Sequence, residues 1–562
     1  MRRLDPLRLE EARLHHRAIA AVLLLSLLAG ARPAGGQEPA PAAEQPPATP
    51  VEADPTPPAP LEAPPPTPER ESAPNPELEP PPVDGGAPAF PVLDPPLAGS
   101  RAAERNQVRY LLENIEVRGN ARTRPRVVLR YVPFEAGDVI DVDDPEVELS
   151  RYRLLGTGFF REVHFSLRKG SRRGWVVLII EVEERNTIVV NDLWMGLAAE
   201  TDARGNASTL LPYAGLDVAE TNLAGTGITL GTAVGLGPDQ LGLQLRFLDP
   251  AFLGGRWMTS ASLVYNDARD YFGNDGVLYW PGLSNDVPNA APVAYTRFGG
   301  SVGAGRDLGV AVQLWGHYRL ESVDADVPST ASHLRGGRRE PLDFDIVPGQ
   351  SQLSALRATL QLDSRDHPTL PTRGWFATAQ AELALVPLGS DYGYERIDLH
   401  VSRWWRLPWG AHVVRLDLFG GAIVGDAPFF EQYYVGDFSD FLPDRILGLN
   451  FDRRPAPNFF DTAIGEVRYG HYALKLGGEY RIPLYRGQRS VYGIDIFASA
   501  GIFALANRAY LERPNPRFTG AARLPLDLTA NFGFRMDTSA GGFLFAFSNV
   551  IGLLPLREGE AR

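Results

Sequence analysis

The residues best suited to chemistry in this 562-residue sequence are carboxylates, because the sequence contains no cysteine. Asp363, Asp366, Glu382, Glu466 and Glu479 could supply the paired carboxylates of general acid–base catalysis. Each lies in or beside a segment that alternates polar and apolar residues, so we interpret them as a solvated lattice of charges on the wet face of a sheet. The nine histidines show no metal-ligand spacing. We therefore expect no enzyme, no catalytic residue, no cofactor and no metal.

Two of these carboxylates lie in a charged, proline-containing turn between two strand-like runs, LDSRDHPTLPTRGWFATAQAEL, residues 362–383. Apolar residues recur at every second position on both sides of the turn, which places them on one face of each strand. The residues that we assign to this turn motif are Asp363, Asp366, Pro371, Arg373 and Gly374. The pattern alone leaves open whether protein or lipid covers the apolar faces.

Composition limits the class of protein. The 57 glycines and 49 prolines are high for a globular enzyme. A net charge of -13 without a basic stripe argues against a nucleic-acid partner. The absence of cysteine excludes disulfides and thiolate zinc sites.

The N-terminal part of the chain predicts export. Arginines, among them Arg2, Arg3, Arg13 and Arg17, precede the apolar run AIAAVLLLSLLAGA, residues 18–31, which is short for a membrane span and typical of a secretory signal cleaved near Gly36. A buried helix is the alternative. Residues 37–106 are rich in Pro, Ala and Glu, so we expect a disordered linker there. After the signal, the sequence has no stretch of about 18 apolar residues, so we expect no transmembrane helix there.

Residues 107–186 predict a small α+β domain in the order strand, helix, helix, strand, strand. The last two strands form a predicted hairpin, and either 163–168 or 175–182 is expected to offer a free sheet edge. The turns that this order requires fall at Gly119, Asn120, Gly137, Asp138 and Gly158.

From residue 187 to residue 562 the sequence predicts strands with the alternating pattern of a transmembrane β-barrel of about 15–16 antiparallel strands. The fifteen predicted strands begin near Ile188, Leu211, Gly227, Gln240, Trp257, Val293, Gly309, Gln352, Gly374, Tyr394, His412, His471, Val491, Leu526 and Gly542. Short connections follow even-numbered strands, and the long segments 267–292, 323–350, 426–470 and 505–525 follow odd-numbered ones. A soluble β-sandwich or propeller is the alternative. The parity places all long segments at one end and makes lipid the cover of the apolar faces.

Two groups of motifs carry a resemblance to a known family. The motifs I-x-V-x-G-N, A-G-D, L-G-x-F-F-x-x-V and I-x-V-x-E make residues 107–186 similar to a polypeptide-transport-associated (POTRA) domain. In the barrel, FLDPAFLGG, LDSRDHPTLPTRGWF, PFFEQYYVGDFSDFLPDRILGL, LGGEYRIPL and TANFGFRMDT resemble signatures of the BamA/TamA family of outer-membrane assembly factors, or bacterial surface antigens. Together they cover about residues 107–550.

The resemblance implies a factor of the bacterial outer membrane that captures unfolded polypeptide through a periplasmic POTRA domain and inserts or translocates it at the barrel seam. The linker would also lie in the periplasm. The implied partners are unfolded outer-membrane or secreted polypeptides and outer-membrane lipid, with periplasmic chaperones or accessory lipoproteins as further candidates. The alternative is a diverged member that acts as a passive outer-membrane pore or a surface-structural barrel.

The sequence departs from the family at two motifs. Arg445, Leu447 and Gly448 occupy the long loop where the family has V-R-G-[FY]. The strand that carries F-x-D-x-G in the family has Asp495, Phe497, Ser499 and Gly501. Leu447 thus replaces the family's arginine and Ser499 its aspartate. We therefore hypothesise that Arg445 and Asp495 form the lost pair at shifted positions.

Overall fold

The computed structural model describes residues 109–141, 145–198, 211–237, 240–252, 255–272, 278–279, 291–327, 332–335, 338–438, 445–450, 459–467, 469–487, 490–512 and 519–548. The predicted signal peptide and linker, residues 1–106, lie outside these ranges. The described part forms a small α+β domain followed by a closed barrel.

The small domain contains four strands and two helices. Its elements are β1 (Arg109–Arg118), α1 (Pro125–Leu129), β2 (Val139–Asp141), α2 (Pro145–Gly156), β3 (Phe160–Lys169) and β4 (Trp175–Glu184). The sheet order is β2-β1-β4-β3, with β1 parallel to β4 and the other neighbours antiparallel. Leu112, Leu154 and Ile180 are fully buried between the helices and the sheet. The sequence order was predicted except for β2, whose three residues are too few to show an alternating pattern.

The barrel contains fifteen strands, as predicted. They are β5 (Ile188–Ala198), β6 (Leu211–Glu220), β7 (Thr229–Gly237), β8 (Gln240–Asp249), β9 (Trp257–Phe272), β11 (Ala291–Asp307), β12 (Val312–Asp326), β15 (Gly349–Asp363), β16 (Gly374–Ala384), β17 (Tyr394–Arg406), β18 (Val413–Gly425), β23 (Tyr472–Arg486), β24 (Val491–Ala506), β25 (Leu526–Thr538) and β26 (Gly541–Ser548). The largest differences in starting residue are at β12 and β15. No helix in the described ranges is long and apolar enough to cross a bilayer.

Short strands and one short helix lie in the segments that connect these barrel strands. They are β10 (Leu278–Tyr279), β13 (Ser332–Arg335), β14 (Arg338–Pro341), β19 (Tyr433–Tyr434), β20 (Arg445–Ile446), β21 (Leu449–Asn450), β22 (Tyr469–Gly470) and α3 (Arg508–Glu512). Three long segments begin later than predicted, because β9 continues to Phe272, β12 to Asp326 and β24 to Ala506. We call the barrel end that carries these segments the loop end and the opposite end the turn end.

The alternating pattern sorts side chains between the outside and the lumen. On β15 and β16, Leu356 pairs with Leu383, and both side chains are exposed on the outer surface. The neighbouring pair, Arg357 and Glu382, faces the lumen, where Glu382 is 1% exposed. A closed sheet with an apolar outer face and a polar interior is the architecture of a membrane barrel, so lipid covers the apolar faces.

The small domain packs on the turn end of the barrel. The Asn222 side-chain amide donates to the Thr123 hydroxyl at 2.8 Å, and both residues are buried. The Arg130 guanidinium donates to the Pro250 carbonyl at 3.0 Å and pairs with Asp307 at 2.5 Å. These contacts fix the domain against the turns that precede β7, β9 and β12.

Candidate functional site

The barrel closes at a seam between its first and last strands, β5 and β26. These strands are parallel, because an odd number of alternating strands brings the first and the last into the same direction. Their register contains the single pair Val190 and Gly541, and the Val190 N–H donates to the Ala540 carbonyl at 2.8 Å. A Cβ on Gly541, whose φ is +139°, would lie 2.1 Å from the Val190 carbonyl oxygen. Glycine is therefore what allows the strands to meet at this point.

Beyond Gly541 the described residues of β26 pair only with β25, from Thr538–Gly541 to Asn531–Ser548. The edge that faces β5 therefore carries backbone donors and acceptors without a strand partner among the described residues. In lipid, each unsatisfied group costs several kcal/mol. Beyond Val190 and Gly541, the described part of the seam is therefore an open strand edge.

An aromatic surface lines the lipid side of this edge. Phe532 stacks on Phe547 with ring centroids 5.1 Å apart, and Phe534 stacks on Phe545 at 4.7 Å. All four side chains are exposed on the outside of the barrel. Cross-strand aromatic pairs stabilise neighbouring strands, so the pairs strengthen the β25–β26 hairpin while its far edge stays open.

Six charged residues, five of them buried and Arg357 half-buried, form a group in the lumen that we call the luminal ion cluster. Its members are Arg297, Arg319, Glu321, Arg357, Glu382 and Glu431. Three arginines and three glutamates make the cluster neutral in sum. The sequence interpretation of Glu382 as a solvated charge is wrong, because the folded lumen encloses it.

The geometry of the cluster centres on Arg319. Its guanidinium contacts Glu321 at 2.6 Å, Glu431 at 2.5 Å and Glu382 at 3.5 Å. Arg297 joins Glu321 at 2.7 Å and Glu431 at 3.3 Å. Charge-assisted bonds of this kind are the strong hydrogen bonds of proteins.

Glu431 is the member of the cluster that comes from the long segment 426–471 rather than from a barrel strand. Although burial would raise it, the charges of Arg319 and Arg297 hold the pKa of Glu431 well below its ordinary value. The segment is therefore held in the lumen by its own carboxylate, with the positive charges on β11 and β12. The family pattern has the opposite polarity, an arginine in the loop and an aspartate on a strand.

Aromatic side chains extend this anchor. Phe429 lies edge-on to Tyr295 and to Tyr469, with ring centroids 5.4 Å away in both cases. Phe430 stacks on Tyr295 at 5.4 Å and lies beneath the Arg297 guanidinium at 4.2 Å. These buried rings fill the lumen toward the loop end.

The hairpin of β20 and β21 carries the positions that replace V-R-G-[FY]. Its tip, Leu447 and Gly448, has positive φ at both residues, and the Leu447 carbonyl accepts a bond from the Asn266 side chain at 2.7 Å. A Cβ on Gly448 would lie 3.3 Å from Asn266 and 3.7 Å from Arg297. The tip therefore lies against β9 and β11 inside the barrel.

The predicted partner of Arg445 has other partners. Asp495 is fully buried and pairs with Arg481 at 3.1 Å and with Arg486. The side chain of Arg445 lies outside the described residues, as does that of Glu466. With two guanidinium groups already on Asp495, the observed contacts give no support to the hypothesis of an Arg445–Asp495 pair.

The other candidate residues of β24, at every second position from Asp495, face the lumen with it. Phe497 lies beneath the Arg535 guanidinium at 5.0 Å, and the Ser499 hydroxyl accepts a bond from Asn531 at 3.1 Å. Gly501 follows on the same face. Arg535 also pairs with Glu479 at 2.6 Å, and Glu479 is 3% exposed. Like Glu382, Glu479 is an enclosed ion-pair partner rather than a solvated charge.

The turn motif folds into the turn end of the barrel. Asp366 caps it by accepting the Thr372 N–H at 2.7 Å and the Arg373 N–H at 3.1 Å, while Asp363 pairs with Arg365 at 2.7 Å. At Gly374, whose φ is +107°, a Cβ would lie 2.3 Å from the Ser364 carbonyl oxygen.

The same turn also contacts β23, a barrel strand that is not its neighbour in the sheet. The Pro371 carbonyl accepts a bond from Arg481 on β23, and both Arg481 and Leu370 are buried. The sequence predicted a turn here but not its contact with Arg481. A carbonyl that binds an arginine 110 residues further along the chain leaves no local signal.

The predicted turn residues of the small domain all lie in turns. Gly119, Gly137 and Gly158 have positive φ, and a Cβ on Gly119 would lie 2.0 Å from the Val182 carbonyl oxygen. Asn120 donates to the Thr123 carbonyl at 2.9 Å, and Asp138 accepts the Glu135 N–H at 2.7 Å.

The sheet order decides between the two candidate edges. β4, which includes 175–182, pairs on both sides and is wrong as a free edge. β3, which includes 163–168, lies at the sheet edge opposite β2.

Fold and site together define a membrane β-barrel with an N-terminal α+β domain, an occupied lumen and a seam joined by one residue pair. The Omp85 superfamily domain matches residues 222–503, half of the chain. The chain belongs to the Omp85 superfamily and is of the BamA/TamA type that its motifs predicted. The family places the barrel in the bacterial outer membrane.

Individual relatives are distant. The outer membrane protein assembly factor BamA of Nitratidesulfovibrio vulgaris is 25% identical over 358 residues, which cover 62% of this chain and 38% of that protein. The chain thus spans less than half the length of this curated relative. Solved structures that are similar include BamA from Haemophilus ducreyi lacking POTRA domains 1–3, with 15% identity, a TM-score of 0.43 and coverage of 78% and 81%. CdiB from Escherichia coli has 10% identity, a TM-score of 0.49 and coverage of 78% and 72%.

Proposed function

We propose that this protein is an outer-membrane assembly or translocation factor that receives unfolded polypeptide at its small domain and passes it to the seam. The observation that carries the proposal is the seam itself. Fourteen strand neighbours in the barrel are antiparallel ladders, whereas β5 and β26 share one residue pair. A client strand that adds to the free edge of β26 satisfies backbone groups that lipid cannot satisfy. This chemistry requires no catalytic residue, cofactor or metal.

The small domain is suited to act as a POTRA domain on the periplasmic side. Its edge strand β3 can pair with an extended polypeptide through backbone bonds, which give affinity without demanding one sequence. Beside β3 lies a groove of about 560 Å³, lined by Ile140, Phe165 and Trp175 and rimmed by Arg172 and Arg173. This groove fits apolar and acidic side chains of the same polypeptide.

The occupied lumen favours this function over a passive pore. The ion cluster and the aromatic residues of 426–471 fill the barrel interior toward the loop end. A wide and stable channel would need that space to be open. Segment 426–471 therefore leaves the seam, rather than the lumen, as the working surface.

Depletion of the protein tests the proposal. Outer-membrane protein content, measured by quantitative proteomics of purified membranes, should fall as the protein disappears. A passive pore predicts unchanged protein content together with slower uptake of small solutes. That second outcome would refute an assembly role.

A further inference from the structure

The turn end of the seam contains a buried contact that involves three separate parts of the chain. Arg185, just before β5, contacts Asp537 at 3.5 Å and donates to the Thr538 carbonyl at 2.8 Å. His367, in the turn between β15 and β16, lies 3.7 Å from the same Asp537 carboxylate. Asp537 is 1% exposed and is the penultimate residue of β25, just before the turn that leads into β26. One carboxylate thus links the chain entering the first barrel strand to the hairpin of the last two.

We propose that Arg185, Asp537 and His367 are positioning residues that clasp the turn end of the seam, so that β5 and β26 separate from the loop end while their turn ends stay together. The proposal rests on the proposed function and adds the direction in which the seam opens. It also assigns a role to the turn motif, which reaches the seam from the opposite wall of the barrel.

Packing of the turn against the last strands supports the clasp. A Cβ on Gly542 of β26 would lie 2.9 Å from the Thr369 methyl carbon, and a Cβ on Gly493 of β24 would lie 2.6 Å from Leu370. The Pro371 carbonyl is bound to Arg481, which is itself paired with Asp495. The turn is therefore fixed to β23, β24 and β26, not only to the strands that it connects.

The histidine is held in one orientation. Its Nδ1 accepts the N–H groups of Thr369 at 3.2 Å and Leu370 at 3.1 Å. Nε2 therefore carries the proton of the neutral ring, and it lies 3.7 Å from the Asp537 carboxylate. Burial, which lowers the pKa of His367 despite the nearby carboxylates, keeps the ring in this neutral form.

The clasp lies at the end of the seam where β5 and β26 pair. The only register pair of the seam, Val190 with Gly541, lies beside the Arg185–Asp537 contact along the chain. Without the clasp, that single pair would be the whole connection between β5 and β26 among the described residues. A client strand that enters while the turn ends are joined extends the sheet without detaching the small domain from the barrel.

Hydrogen exchange in lipid nanodiscs tests the clasp with a matched pair of variants. Asp537→Asn removes the carboxylate charge at the seam, and Asp527→Asn removes an equally buried carboxylate, also 1% exposed, at the other end of β25. We expect the Val190 amide to exchange at least about tenfold faster in Asp537→Asn, the effect of losing a hydrogen bond to a charged group. Asp527→Asn should leave Val190 unchanged. Equal effects of the two variants, or none, would overturn the proposal.

A second variant reaches the same contact from the other side. Arg185→Gln should produce the same faster exchange at Val190, and it serves if Asp537→Asn folds in low yield. Because the protein has no cysteine, Thr369→Cys and Gly542→Cys introduce the only thiols. Oxidation of this pair should return exchange at Val190 to the original rate in the Asp537→Asn background.

Client crosslinking distinguishes a turn end that stays joined during client capture from one that must open first. With the cysteine pair oxidised, a photoreactive residue at Phe547 should still capture an unfolded barrel protein to within about twofold of the reduced form. Capture that appears only after reduction would show that the turn end must open, which contradicts the proposal. If the proposed function is wrong, no client is captured at Phe547 in either the oxidised or the reduced form. The exchange result at Val190 would be unaffected by that outcome.

Discussion

Removal of the Glu431 charge should release the long segment 426–471 from the lumen. Glu431→Gln keeps the shape of the side chain but leaves Arg297, Arg319 and Arg357 with two carboxylates, so the buried cluster carries one excess positive charge. Loss of one partner from a buried ion pair costs about 3–5 kcal/mol. At about 1.4 kcal/mol per tenfold, the population of the released segment should rise by a factor of about 10² to 4 × 10³.

Two measurements report this release. Hydrogen exchange should accelerate in peptides that cover residues 429–434, and heat-resistant folding on gels should be lost at a lower temperature. Glu395→Gln is the control, because Glu395 lies on β17 and is exposed on the outer face. The double variant Glu431→Gln with Arg319→Met should be less destabilised than the two single effects added, because both remove the same contact.

A change of less than about fivefold in the exchange of residues 429–434 in Glu431→Gln, or an equal effect of Glu395→Gln, would contradict this expectation. Either result would mean that the aromatic rings hold the segment without the carboxylate. The lowered pKa of Glu431 also predicts how the anchor responds to pH. A carboxyl whose folded pKa is lowered contributes stability above its unfolded pKa and loses it only as the pH falls through the folded value, so the anchor should persist at pH 4.

Three further predictions follow from other parts of the barrel. Burial raises the pKa of Asp345 to about 6, so the free energy of unfolding should fall as the pH rises from about 4 to 6. Asp345→Asn should flatten this part of a plot of melting temperature against pH. An unchanged slope in the variant would contradict the prediction. Gly374→Ala should reduce folded yield on gels, because its Cβ meets the Ser364 carbonyl, whereas Gly309→Ala, in open space, should not. Asn222→Ala should cost about 1–3 kcal/mol in domain docking and expose the turn end to added protease; unchanged protection would refute the contact.

The strands were predictable because each shows its own alternation over many residues. The two faces of β15 and β16 were visible in the sequence, and so was the turn between them. Predicting strand β2 failed since three residues carry no period. Local pattern therefore accounted for the elements and for their number.

The lumen was not predictable in the same way. Glu431 is one acid in the aromatic run PFFEQYY, which indicates a buried charge, but its partners Arg297 and Arg319 lie 134 and 112 residues away. Nothing local joins His367 to Asp537 either. Such contacts depend on barrel closure, which sets strand neighbours and the inward reach of each loop only once all strands are in place.

Site-specific crosslinking measures whether a client polypeptide reaches the seam between β5 and β26. A photoreactive residue replaces Phe547 beside the seam or Phe298 on β11, two lipid-facing phenylalanines that are 61% and 62% exposed. We expect an unfolded barrel protein that is undergoing assembly to be captured from position 547 and not from position 298. Equal capture at both positions, or capture only at position 298, would contradict a working seam between β5 and β26.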